Sequence, residues 1–186
     1  MSPYLTGFNS DKSRALHPFL IIISIMLSLP VFAQQCDSSQ PETTPDRLFI
    51  MNDNGTVKDK NTNLLWMRCA LGQNWREGHC AFSHMTYDFL DAADAARQLN
   101  KEGGFAGYKD WRLPTLKELS TIIEKRCNNP AINIKAFPDT PVTAYWSSTK
   151  DPAYSDGAML VHLLPGLSYM GNKRVPWAVR LVRHAR

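Results

Sequence analysis

The stretch Gly103–Glu118, GGFAGYKDWRLPTLKE, constrains the fold of this chain more tightly than any other. Two adjacent glycines reach the left-handed conformation that ends a helix at no steric penalty, so a helix is expected to stop there. Trp111-Arg112-Leu113 then reads as a short buried strand. Thr115 and Glu118 follow at capping-box spacing, the hydroxyl accepting the Glu118 amide and the carboxylate returning to the Thr115 amide. On the upstream side Phe89, Ala92, Ala93, Ala96 and Leu99 recur at helical spacing, with Asp88, Asp91, Asp94, Arg97 and Gln98 mostly opposite. That pattern predicts a helix from about Tyr87 to Asn100, capped by Thr86. Downstream, Leu116, Leu119, Ile122 and Ile123 predict a second helix reaching to near Cys127.

Strands are expected on both sides of this joint. Arg47–Met51 and Thr56–Asp59 flank Asn52-Asp53-Asn54-Gly55, a hairpin signal in which both residues of the Asn-Gly pair take positive φ. Leu64–Met67 supplies a third strand. Ala144–Ser148, Ala158–Leu164 and Ala178–Val182 read as later strands, the last two separated by a basic hairpin-like segment, Pro165–Trp177. Pro130, Pro138 and Pro141 keep the connection from Asn128 onward irregular. Strands, then two helices, then strands predict an α+β fold with two helices packed on a largely antiparallel sheet. The order argues against alternating βαβ units and a nucleotide fold.

The N-terminus reads as an export signal. Lys12 and Arg14 precede the uncharged run Pro18–Ala33, which is shorter than the roughly 20 residues a spanning helix needs, and Val31-Phe32-Ala33 suits signal peptidase. Cleavage is expected after Ala33, with no stable membrane span afterwards and a periplasmic or extracellular location. Gln35 before Cys36 does not suit a lipoprotein anchor. All four cysteines, Cys36, Cys69, Cys80 and Cys127, lie beyond the cut in an oxidising compartment, and with no C-x-x-C pair they suggest two disulfides. Of three possible connectivities the preferred one joins Cys69 to Cys80 and Cys36 to Cys127. Residues 34–46 are then an extended lead-in held by Cys36.

No catalytic constellation is found. The chain has no Gly-x-Ser-x-Gly, His-Glu-x-x-His or phosphate-cradling loop, so it does not read as an enzyme, and no cofactor is expected. His79, His84, His162 and His184 lack metal-ligand spacing, while Asp53, Asn54, Gly55 and Asp59 lack the order and distal Glu of a calcium loop. Trp66, Trp111 and Trp146 have core contexts.

Several motifs together carry a family likeness: Asn54-Gly55-Thr56-Val57, Leu64-x-Trp66-Met67-Arg68-Cys69, Phe105-Ala106-Gly107-Tyr108-x-Asp110-Trp111-Arg112-Leu113-Pro114-Thr115, Trp146-Ser147-Ser148 and Val179-Arg180-Leu181-Val182-Arg183. The chain resembles the Lcl C-terminal domain family, named for the terminal domain of a collagen-like adhesin, over a single domain from 47 to 186. The resemblance implies a C-type-lectin-like or sulfatase-modifying-factor-like fold and, from the adhesin, binding to sulfated glycans. The chain has no collagen-like Gly-x-y tract and none of the calcium-sugar motifs of C-type lectins. Calcium-dependent sugar binding is therefore not expected, and the oxidase chemistry of the modifying factors does not carry over, because no cysteine follows Cys127.

Charge points to the same end of the chain. The formal total is +4, and after Asp156 there is no acidic residue, while Lys173, Arg174, Arg180, Arg183 and Arg186 are all basic. Tyr169, Lys173, Arg174 and Trp177 are the candidate ligand-binding residues, since aromatics stack on sugar faces and cations pair with sulfate or carboxylate. A plainer alternative places Arg180 and Arg183 on the solvated side of the last strand with Trp177 beneath. The expected partner is an anionic glycan or surface polymer, or else an envelope protein; nucleic acid is not expected.

Overall fold

The strands form two main sheets rather than one, and the central strands bury side chains on both faces. In a computed structural model, residues 33–185 are described; the expected signal segment through residue 32, His17 and Arg186 lie outside them. Among the described residues no helix is long and apolar enough to cross a membrane. A four-stranded sheet is built from β2 (Phe49–Met51), β3 (Thr56–Asp59), β4 (Leu64–Met67) and β13 (Val182–His184), ordered β13-β4-β3-β2. A five-stranded sheet is built from β7 (Thr86–Tyr87), β9 (Ala144–Lys150), β10 (Gly157–His162), β11 (Leu167–Asn172) and β12 (Trp177–Ala178), ordered β11-β10-β9-β12-β7. Two small ribbons complete the set, β1 (Gln35–Cys36) with β8 (Cys127–Asn128), and β5 (Asn74–Arg76) with β6 (His79–Ala81). The helices are α1 (Phe89–Lys101) and α2 (Leu116–Ser120). The fold is α+β, and among the described residues every strand pair is antiparallel except β12 with β9.

Successive residues of the central strands point into two separate cores. Trp66, Tyr145, Val161, Ala178 and Val182 enter one, with Leu119, Ile122, Ile132 and Phe137. Leu65, Met67, Trp146, Leu160, Val179 and Leu181 enter the other, with Phe89, Ala92, Ala96 and Trp111. A strand covered on both faces loses the apolar–polar alternation of a one-sided sheet. This is why Leu64–Met67 is an unbroken apolar run.

The joint at Gly103–Glu118 forms as expected, with one difference. Gly104 has φ +76°, and a Cβ there would stand 1.8 Å from the Tyr108 carbonyl oxygen, so the stop accepts only glycine. Trp111 is fastened by Asn100, whose side chain accepts from its amide (3.0 Å) and donates to its carbonyl (2.8 Å), while the indole N–H donates to Phe105 O. Residues 111–113 make a single bridge, Arg112 to Val182, rather than a strand.

Several local expectations are corrected. The cap of α1 is Asp88, whose carboxylate accepts from Leu90 N (2.9 Å) and Asp91 N (2.8 Å), because Thr86 and Tyr87 are held in β7 against Ala178 and Trp177. In the first hairpin only Gly55 of the Asn-Gly pair has positive φ; the Asn54 side chain instead accepts from Thr56 N and Oγ1. The second helix stops at Ser120. The Ser120 and Thr121 hydroxyls donate to the carbonyls of Leu116 and Glu118, and the β-branched Ile123 bridges to Ile132. The segment Pro165–Trp177 contains β11, which pairs with β10 rather than closing a hairpin of its own. The expected last strand is split, Trp177–Ala178 joining one sheet and Val182–His184 the other.

Both preferred disulfides are present, Cys36–Cys127 and Cys69–Cys80. Residues 34–46 are more than a lead-in held by Cys36. The buried Glu124 carboxylate accepts from Thr43 N, Thr44 N and both threonine hydroxyls, and the Gln34 amide donates to the carbonyls of Pro130 and Ile132.

The capping box carries a pH signature. Both its hydrogen bonds form, and Glu118 is gripped by Arg112 at 2.8 and 2.6 Å. Hydrogen bonds from Arg112, then from Thr115, pull the Glu118 carboxyl from 4.5 to about 2. A depressed folded-state pKa gives stability that is full above the unfolded value and is lost as pH falls through the folded one. Acid unfolding followed by tryptophan fluorescence is expected to show stability falling between pH 4.5 and about 2, with a shallower fall in Glu118→Gln. An identical slope in that variant would assign the acid sensitivity to other carboxylates.

Candidate functional site

Where the chain leaves β11 it returns across the start of α1, and three cations meet. Lys173 and Arg174 follow β11 directly, and Lys150 ends β9, two strands away in the sheet. They line a cleft of about 330 Å³ together with the exposed Leu90 and the edge of the buried Phe89. Lys173 Nζ donates to Ser155 O and stands 5.6 Å from the centre of the Phe89 ring. None of the three cations lies within ion-pair distance of a carboxylate among the described residues. Asp88 and Asp156 also border the cleft and offset part of its charge. The helix start adds no free donors: Phe89 N donates to Lys173 O, Ala92 N to Asp88 O, and the two amides between them to the Asp88 carboxylate.

Among the described residues three other grooves each hold a single cation outside ion-pair distance of a carboxylate, Arg47, Lys101 and Lys109, rather than a group of three. The one beside β1 and β8, about 470 Å³, has Arg126 paired with Glu42 and Lys135 with Asp46. The groove over Trp111 is bordered by Arg97 and Arg112, paired with Asp94 and Glu118.

The four residues singled out from sequence do not form one rim. Lys173 and Arg174 share the cleft. Tyr169 lies on the sheet's edge strand, and Trp177 lies on β12 with β10 and β9 between them, a separation of roughly 14 Å at ordinary strand spacing. Trp177 is half-buried beside Tyr87, its indole N–H enclosed without an acceptor. Lys150 was not indicated by any sequence signal, because only the pairing of β9 with β10 brings it near residues 173 and 174.

Arg180 and Arg183 are not on a solvated face. Arg180 is 1% exposed and Arg183 2%. The Arg180 guanidinium donates to the carbonyls of Met67 and Arg68 and to the Thr140 hydroxyl, with the Phe137 and Tyr145 rings 5.0 and 5.6 Å away. Burial lowers its pKa from the ordinary arginine value and pushes the Tyr145 hydroxyl up to about 12, so the phenol stays neutral beside it. Arg183 makes a two-pronged pair with Asp110, at 2.6 and 3.1 Å, beneath the Tyr108 ring. The basic end of the chain thus divides into two cations at a cleft and two inside the molecule.

The model of the Lcl C-terminal domain matches residues 55–183. The chain belongs to the Lcl C-terminal domain family. No curated protein matches it. The family match spans the Cys69–Cys80 loop, the glycine-to-capping-box joint, the cationic cleft and both buried arginines. It leaves out residues 34–46, which this Lcl C-terminal domain ties to its body through Cys36, Gln34 and Glu124.

Proposed function

We propose that this Lcl C-terminal domain is an exported binding module whose cleft at Lys150, Lys173 and Arg174 takes an anionic group of a glycan or surface polymer. The two disulfides fit an exported, disulfide-stabilised domain. The observation that carries the reading is the set of three cations without carboxylate partners around a concave, partly apolar floor. Such groups pair with sulfate or carboxylate. Tyr169 and Trp177 lie outside that cleft and have no part in this reading.

Retention on immobilised heparin, a sulfated glycan, is the test. The protein is expected to elute at lower salt when Lys150, Lys173 and Arg174 are all changed to alanine, since exposed charge pairs weaken with ionic strength. A control with Lys101→Ala, Lys125→Ala and Lys117→Ala should elute with the unaltered protein or close to it. Equal shifts in the two variants would mean that net charge alone governs retention, and the cleft would be discarded as the site.

A further inference from the structure

No Asp, Glu, Lys or Arg occurs from Gly157 to Asn172, a run that forms β10, the turn after it and β11. β11 is the terminal strand of the five-stranded sheet. Edge strands ordinarily carry charges, prolines or bulges that keep other chains from pairing with them, and β11 carries none of these. Its ladder with β10 runs without a break in register from Gly157–Asn172 to His162–Leu167.

The side chains leave apolar groups exposed along the edge, among the polar Ser168 and Asn172. Leu167 and Tyr169 stand on the face shared with Leu160, over the second core, and are 54% and 46% exposed. Met170 stands on the opposite face, beside Met159, and is 49% exposed. Leu167 and Tyr169 on one face and Met170 on the other are thus large apolar side chains left uncovered at the edge.

The direction of the backbone groups follows from the ladder. Lys173 N donates to Asp156 O at 2.9 Å, which makes 156 and 173 a hydrogen-bonded pair. Stepping by two, Gly171, Tyr169 and Leu167 also face β10, and Asn172, Met170 and Ser168 face outward. The outward carbonyl of Asn172 is occupied by Val175 N. Ser168 and Met170 therefore present their N–H and C=O groups to whatever lies beyond the edge.

We infer that β11 is a self-association edge, on which a second copy of this chain adds its own β11 antiparallel across a two-fold axis at Tyr169. In that register Ser168 of each copy exchanges both backbone hydrogen bonds with Met170 of the other, so every outward group on these two residues is satisfied. Tyr169 then faces its own equivalent at a non-hydrogen-bonded position, where side chains approach most closely. Self-pairing is favoured over a charged foreign strand because the seam is uncharged from end to end. The nearest cations, Lys173 of each copy, lie at opposite ends, roughly 27 Å apart at the rise of a strand. The association is independent of what the cationic cleft binds.

Sedimentation of the purified disulfide-bonded protein over a dilution series tests this. The expected result is a species of twice the monomer mass that dissociates on dilution, with slow exchange of the Ser168 and Met170 amides only when concentrated. Ser168→Pro removes an outward N–H without touching the β10 ladder, and Met170→Lys places a charge in the seam. Each is expected to weaken association by about tenfold or more while leaving the thermal midpoint of the monomer unchanged. If Ser168→Pro does not fold, Met170→Lys decides alone. A protein that stays monomeric at all concentrations overturns the inference, as does a dimer that survives Met170→Lys. A monomer that protects the same two amides only on adding an unrelated extended peptide also overturns it.

Discussion

Arg180→Ala is expected to cost about 4 kcal/mol or more, read as a fall in the urea midpoint, because it opens a cavity and strips donors from three buried acceptors. Those acceptors are Met67 O and Arg68 O, at the end of β4, and the Thr140 hydroxyl. Such a loss is a large share of the total stability of an ordinary domain. Arg180→Met restores volume but no donors, and should fall between the two. A charged residue on a solvated strand face would change stability by only about 0.5 kcal/mol, so the measurement separates the two placements of Arg180 cleanly. A change that small would return Arg180 to the surface and reopen the basic C-terminal segment as a single patch.

The second large effect concerns the bridges. Cys36 and Cys127 are 91 residues apart in sequence, Cys69 and Cys80 only 11. Loop-closure entropy assigns about 4–5 kcal/mol to the long bridge and about 3 kcal/mol to the short one. Replacing both cysteines of the long bridge by alanine is therefore expected to lower the urea midpoint further than replacing both of the short one. Residues 34–46 should stay docked in the long-bridge variant, held by Glu124 and Gln34, and their amides should remain slow to exchange. The reverse order of midpoints would mean that the N-terminal segment detaches without unfolding the remainder.

What could be read from sequence was what local chemistry decides. The capping box at Thr115 and Glu118 and the glycine stop at Gly104 each depend on atoms a few residues away, and both formed as expected. The short bridge belongs with them, since it closes a loop within one stretch of chain. The burial of Arg180 could not be read that way. Its acceptors lie 112 and 113 residues upstream and 40 residues upstream, and an arginine among Val179, Leu181 and Val182 alternates as a solvated strand residue would. The failure of Tyr169, Lys173, Arg174 and Trp177 to gather has the same origin. All four lie in the segment Pro165–Trp177 that reads as hairpin-like, yet Tyr169 and Trp177 belong to strands separated by β9 and β10. Lys150 entered the cleft for the converse reason, being close in the sheet and distant in the chain.

The division of the last expected strand between two sheets has a bearing on when this protein can become a protein. β12 sits between β9 and β7, and β13 closes the other sheet against β4, so the final two strands in chain order each complete a different sheet. A chain emerging N-terminus first, from a ribosome or through a translocation pore, has both halves of its structure waiting on residues 177–184. Until they arrive one core lacks Ala178 and Val182 and the other lacks Val179 and Leu181.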